Sequence, residues 1–237
     1  MTMLNIRKFL FNPFQETTLL LWDDTQEGVI VDPGCMDPEE KESLTAYIAK
    51  EQVRPVAIWL THGHFDHVYG VPDLAGAYGI PIFMHPDDAA MVANNWQLTR
   101  RYRLPDAPKD FPFEPLQDGQ ELRFGHTVFT VITTPGHTPG GVCFLDAADK
   151  VLVSGDTLFA GSIGRTDSEW GDYDKLIVSI MDKLMGLDGD IDVIPGHGPV
   201  TNSGHERTHN PFLQPFNEPE EEMDWDADGI SLDGDYI

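Results

Sequence analysis

The stretch Thr61-His62-Gly63-His64-Phe65-Asp66-His67 constrains this chain more than any other: three histidines and an aspartate fall within six residues. It follows directly on Val56-Ala57-Ile58-Trp59-Leu60, an apolar run that reads as a buried strand. Open α/β sheets keep their chemistry in loops at the C-terminal ends of strands. Imidazole and carboxylate are the side-chain ligands that zinc, iron and manganese accept. Four such groups this close cannot all face one ion. His62 and His64 alternate and can share one, which leaves Asp66 and His67 for a second. A polar turn whose histidines only make hydrogen bonds would suit a lone histidine, not this cluster.

The flanking sequence predicts an α/β fold. Residues 4–10, 17–22 and 29–31 read as strands, and the third ends at Asp32-Pro33-Gly34. Asp37, Pro38 and Glu40 form a helix start with a capping-box acid, opening an amphipathic helix over 38–52. After the cluster, a helix from His67 to Tyr78 ends at Gly79, and Ile80–Met84 is a short strand whose Pro81 suits an edge or a strand start. A helix then runs from Pro86 to about Tyr102, and 104–118 reads as an irregular loop. From Glu121 to Gly155 the pattern is β, with a hairpin of 141–145 and 151–154. A helix over 173–187 and a strand over 191–194 follow; beyond Val200 periodicity is lost. This order fits two sheets with helices outside, an αββα four-layer sandwich. We expect one domain over 1–217 and an acidic, disordered tail over 218–237.

Three later segments repeat the arrangement of a strand running into a ligand-type residue. They are Val131 to His137, Val151 to Asp156 and Ile191 to His197, each with a glycine immediately before the polar group. With the cluster, five histidines and two aspartates become available. That is about what two metal ions need if one carboxylate bridges them and a position stays open for water.

These motifs resemble the metallo-β-lactamase-fold hydrolases: T-H-G-H-F-D-H at 61–67, P-G-H-T-P-G at 135–140, S-G-D at 154–156 and P-G-H-G at 195–198. The resemblance implies that His62, His64 and His137 hold one ion, that Asp66, His67 and His197 hold a second, and that Asp156 bridges. It implies the αββα sandwich as well. Within that superfamily the chain looks most like the glyoxalase II group, the hydroxyacylglutathione hydrolases, in its short bacterial form. The stretches 12–16, 159–167 and Asn210-Pro211-Phe212 carry the narrower likeness. It implies that Arg165 contacts glutathione, and a guanidinium there can hold a carboxylate bidentately, or else pair with Asp167. Two features depart from the group. Only about forty residues follow the last ligand, where long members carry a glutathione-gripping helical domain, and Ser168-Glu169-Trp170 replaces a Pro-Gly-Gly-like run.

The expected reaction is thioester hydrolysis, most readily of S-lactoylglutathione or a similar hydroxyacyl-glutathione. Hydroxide supplied at a two-metal site attacks the carbonyl, with Asp66 orienting it. Zinc is the expected metal, and iron and manganese accept the same ligands. A lactonase fits the same ligand set, and a persulfide dioxygenase would use one iron on a similar one. A β-lactamase fits less well, since many of those enzymes carry Cys where Asp156 stands. A purely structural metal is disfavoured because such sites are closed and Cys-rich. With 40 acids against 15 bases, and a net charge of −25, the surface repels nucleic acid. The sign is not only the tail's, since 31 acids against the same 15 bases precede Glu218. No run approaches a membrane span and no signal segment is evident, so a cytoplasmic protein with a small-molecule partner is expected. Two cysteines, Cys35 and Cys143, make no disulfide framework. His85, His126, His205 and His209 lie outside the signature. Asp224–Gly229 mimics half an EF-hand loop, but a solvated acidic tail accounts for it better.

Overall fold

A computed structural model describes residues 4–214. The first sheet starts as an antiparallel meander of β1 (Asn5–Phe11), β2 (Glu16–Trp22) and β3 (Glu27–Val31). Helix α1 (Pro38–Glu51) crosses to β4 (Arg54–Trp59), which pairs parallel to β3. Helices α2 (Phe65–Val68) and α3 (Val71–Tyr78) lead to β5 (Ile82–Met84), and α4 (Ala89–Tyr102) leads to the short edge strand β6 (Glu114–Pro115). The second sheet is a meander of β7 (Glu121–Phe124), β8 (Thr127–Thr133), β9 (Val142–Asp146) and β10 (Val151–Gly155). After the hairpin β11 (Leu158–Phe159) and β12 (Ser162–Ile163) and helix α5 (Tyr173–Ser179), β13 (Asp192–Pro195) returns parallel to β10. β14 (Thr201–Asn202) closes that edge, and α6 (Ser203–His209) follows.

Alternation along the strands divides the core into three apolar layers. Leu19, Leu21, Val29, Val31 and Trp59 of the first sheet meet Phe124, Phe129, Val131, Phe144 and Val153 of the second. Trp59 is the centre, with the rings of Phe124, Phe129 and Phe144 at 5.8, 5.5 and 5.4 Å. The intervening residues Leu20, Ile30 and Ile58 face outward, against Leu44 and Ile48 of α1 and Leu74 of α3. On the far side Leu152 and Val193 pack against Leu176, Ile177 and Ile180. The result is the αββα sandwich that the element order predicts. The capping box at the start of α1 is present, with Asp37 accepting from the Glu40 amide and Glu40 reaching back to the Asp37 amide.

Four expectations change in detail. The helix predicted over 67–78 is two helices, because Gly70 is drawn against the first sheet; its amide donates to Pro33 O at 2.8 Å, and a Cβ there would lie 2.3 Å from Cys35 Sγ. The helix opening at Pro86 begins as a 3-10 turn over Pro86–Asp88, and α5 continues as a π turn over Ile180–Leu184. Pro81 stands immediately before β5, the strand start it suits, although β5 itself sits one strand in from the edge. Residues after Val200 are ordered into β14 and α6; their buried side chains include Ser203 and Glu206, so no apolar period marks them. The boundary at 217, the tail and its EF-hand-like run lie outside the described residues. Among the described residues, no helix is long and apolar enough to cross a membrane.

The sheets place the candidate ligands at one end. β3 and β4 run parallel and end at Asp32 and at the 61–67 loop, while β10 and β13 run parallel and end at Asp156 and His197. Two backbone bonds join the sheets there, Val142 N–H to Thr61 O at 2.8 Å and Thr17 N–H to Gly196 O at 2.7 Å.

Candidate metal centre

All seven sequence-predicted ligands converge. One ligand atom each from His62, His64 and His137 lies within 4.8 Å of the others, and the same holds for Asp66, His67 and His197. Asp156 lies between the groups. Its Oδ2 is 3.4 Å from His137 Nε2 and 3.6 Å from His197 Nε2, and its Oδ1 is 3.7 Å from His67 Nε2.

Hydrogen bonds fix which ring nitrogen each histidine turns inward. His67 Nδ1 faces Asp32 Oδ2 at 3.1 Å, His137 Nδ1 faces Arg165 O at 2.8 Å, and His197 Nδ1 faces Phe14 O at 3.1 Å. Each of these acceptors takes a proton from Nδ1, so Nε2 is left with its lone pair. Thr61 Oγ1 donates to Asp32 Oδ2 and therefore accepts from His62 Nδ1 at 3.0 Å, which frees His62 Nε2 too. His64 is the exception, presenting Nδ1 at 2.9 Å from His137 Nε2. Outer partners that orient a ligand ring in this way are a regular feature of metal sites.

Two observations fit ions in this place. His62 Nε2 and Asp156 Oδ1 are buried without a hydrogen-bond partner, which a native interior rarely tolerates. The charge balance agrees. Burial, with the neighbouring imidazoles, pushes His62 and His64 well below the usual histidine range. Burial also works against charge on His67 and His197. Asp156 and the Asp32 bond nevertheless drive His67 well above that range, and the Asp66 bond raises His197. Asp66, whose burial opposes ionisation, is held well below the carboxylate range by His197 and its other histidine neighbours. The carboxylates thus favour positive charge at this place, which divalent ions would supply.

Three further residues, outside the four ligand motifs, belong to the site. Asp32 holds the Thr61 amide at 2.7 Å as well as His67, from a strained backbone with φ +47°. Glu16 is wholly buried with Oε1 3.8 Å from His67 Nδ1, and burial first of all pushes its carboxyl well above the usual range. Asp88 touches both loops that carry His62, His64 and His137. The sequence signal for Asp32 was its position at a strand end, and Glu16 closes the 12–16 stretch of the narrower likeness; Asp88 carried none.

The ligands open into a cavity of about 720 Å³ walled by Phe14, Phe65, Tyr102, Phe159 and Trp170. Arg165 lines it, with Nε and Nη2 on the two oxygens of Asp167 at 2.8 and 3.0 Å. His126, His205 and His209 are exposed and away from the cavity.

A sandwich with ligand loops at one end of both sheets and a paired His/Asp set opening into a cavity is the arrangement of a metal-dependent hydrolase. The family model described as the Metallo-beta-lactamase superfamily matches residues 11–197, and the chain belongs to that superfamily. It is 37% identical over 212 residues to the hydroxyacylglutathione hydrolase GloC of Haemophilus influenzae, covering 89% of this chain and 98% of that one. Among solved structures, BLEG-1, titled a B3 metallo-beta-lactamase, superposes with TM-score 0.81 at 36% identity over 88% of this chain and 99% of its own. TTHA1623 in a di-iron-bound form gives TM-score 0.79 at 37% identity, over 87% and 100%.

Proposed function

We propose that the protein is a cytoplasmic, two-metal thioester hydrolase acting on hydroxyacyl-glutathione, S-lactoylglutathione being the first candidate. The observation that carries this reading is the paired donor set, three histidine nitrogens on one side of Asp156 and Asp66, His67 and His197 on the other, open to a cavity of substrate size. The likeness to GloC over nearly its whole length supports the thioester. We assign His62, His64 and His137 to one ion, Asp66, His67 and His197 to the other, and Asp156 to both. Zinc suits these donors, and the di-iron form of TTHA1623 makes iron an equal candidate. Bound ions supply Lewis acidity, which acidifies water and polarises a carbonyl.

The chain's own groups do the rest. Asp66 lines the cavity as a carboxylate and orients the attacking water. The water oxygen adds to the thioester carbon, the C–S bond breaks, and one water proton ends on the departing sulfur, giving a hydroxy acid and a free thiol. The aromatic wall keeps other water away from the acyl group. A small thioester is the partner we propose; a net charge of −25 disfavours nucleic acid.

The test is thioester loss from S-lactoylglutathione with metal-loaded protein, metal content measured in parallel, and His62→Ala as control. Rapid turnover abolished in the control supports the reading. A fully loaded protein that leaves the thioester intact removes it. A lactone and, given BLEG-1, a β-lactam are then the next substrates, and oxygen uptake with a persulfide tests the mononuclear iron reading.

A further inference from the structure

The charged rim of the cavity carries information that the aromatic wall does not. Helix α4 turns two stripes toward it, Gln97 with Arg101 and Leu98 with Tyr102, each pair spaced i, i+4. Arg101 sits in Thr99-Arg100-Arg101-Tyr102-Arg103, which holds three of the chain's 15 basic residues. A helix C-terminus favours bases, and Arg100 and Arg103 satisfy that preference equally well. Arg100 stacks over Trp96 at 4.8 Å, and Arg103 forms the left-handed C-cap at φ +58°; neither lines the cavity. Arg101 does, and its side chain has no ion pair or hydrogen bond with any described residue.

The opposite condition holds on the loop after β12. Arg165 there is already balanced by Asp167, which occupies both arms of its fork. Glu169 on the same loop lines the cavity and, like Arg101, has no ionic partner among the described residues. In a chain with 40 acids and 15 bases, a guanidinium at a cavity rim with no carboxylate partner among the described residues marks where an incoming anion is met. Among the described residues the cavity therefore offers a cation, Arg101, and an anion, Glu169, that no partner balances, from different elements.

Building on the thioester reading above, we propose that Arg101 and Glu169 select the thiol half of the substrate. Arg101 takes its carboxylate and Glu169 its ammonium. The carrier then bears a zwitterionic α-amino-acid head, as glutathione does in its γ-glutamyl end. Glu169 repels a polyanionic carrier such as coenzyme A.

Three lactoyl thioesters test this on the metal-loaded full chain: those of glutathione, of the neutral N-acetylcysteamine, and of coenzyme A. Wild type is expected to favour glutathione over N-acetylcysteamine in kcat/KM. Arg101→Gln is expected to cut that ratio roughly 10- to 100-fold, mainly through KM, as loss of a charge-assisted contact does. Glu169→Gln is expected to raise KM for the glutathione thioester and to lower it for the coenzyme A thioester. The Kd of S-methylglutathione, measured by calorimetry, should rise in Arg101→Gln by the same factor as KM. Equal use of the neutral and glutathione thioesters by wild type, or an unchanged ratio and Kd in Arg101→Gln, overturns the inference and leaves thioester hydrolysis standing. A metal-replete protein that hydrolyses none of the three overturns both.

Discussion

Asp88 accepts the Gly63 amide on Oδ2 at 2.8 Å, so a buried carboxylate from the turn before α4 grips the residue between His62 and His64. The same side chain accepts from Thr138 Oγ1 at 2.9 Å and from the Gly140 amide at 2.6 Å, just beyond His137. One wholly buried group thereby sets the spacing of the two loops that carry His62, His64 and His137.

Asp88→Ala should leave three buried donors without an acceptor, at about 1–3 kcal/mol each where no water replaces it. We expect a loss of about 3–5 kcal/mol in urea unfolding with chelator present. We also expect weaker uptake of one metal equivalent by the intact protein, followed by equilibrium dialysis. Unfolding that matches wild type would contradict this account.

Gly196→Ala should damage the centre by crowding. A Cβ there would lie 2.2 Å from Asp156 Oδ1 and 2.8 Å from His67 Cε1. We expect about 1–3 kcal/mol of destabilisation and loss of at least one metal equivalent by elemental analysis. Gly186→Ala, where nothing lies within 4 Å of the new methyl, is the control that should keep its metals.

Asp23 makes part of the stability depend on pH. Burial opposes its ionisation, but Thr25, the His126 amide and Thr127 hydrogen-bond its carboxylate and hold it below the usual range. A group depressed in the folded state stabilises above its unfolded pKa, about 3.9, and that contribution is lost as pH falls through the lower folded value. The stability gap between wild type and Asp23→Asn should therefore be full at pH 6 and shrink below about pH 4 in urea titrations. A gap that widens on acidification would show the sign to be wrong.

Both cysteines should be silent in the folded protein. Burial pushes the Cys35 thiol up to about 12 and the Cys143 thiol up to about 11, and neither is accessible. A chromogenic disulfide reagent at pH 8 should find no thiol in native protein and both after denaturation. Labelling of Cys35 without unfolding would overturn this expectation.

The sequence made the candidate ligands legible because they follow apolar strands, and five of the seven sit beside a glycine, so local pattern and chemistry coincide. Trp59 and its neighbours were readable as core for the same reason. Asp32, Glu16 and Asp88 act by reaching across chain distance: Asp32 to His67 is 35 residues and Asp88 to Gly140 is 52, and no local period records such a contact. α6 escaped because its buried face includes Glu206, which caps the Gly161 amide at 2.9 Å and takes Asn210 Nδ2 at 2.8 Å, a polar anchor where an apolar stripe is expected. The break at Gly70 depended on a tertiary contact with Pro33.

The separation of His67 from His197, 130 residues apart in the chain and 3.3 Å apart in space, bears on how the protein is made. On the ribosome, four of the seven ligands emerge together by residue 67, while the last appears only when the second sheet is nearly complete. An ion that arrived early would meet only part of the proposed binding set. Loading of the proposed ions would therefore wait for the two sheets to close on one another, and metal uptake would follow folding of the whole domain.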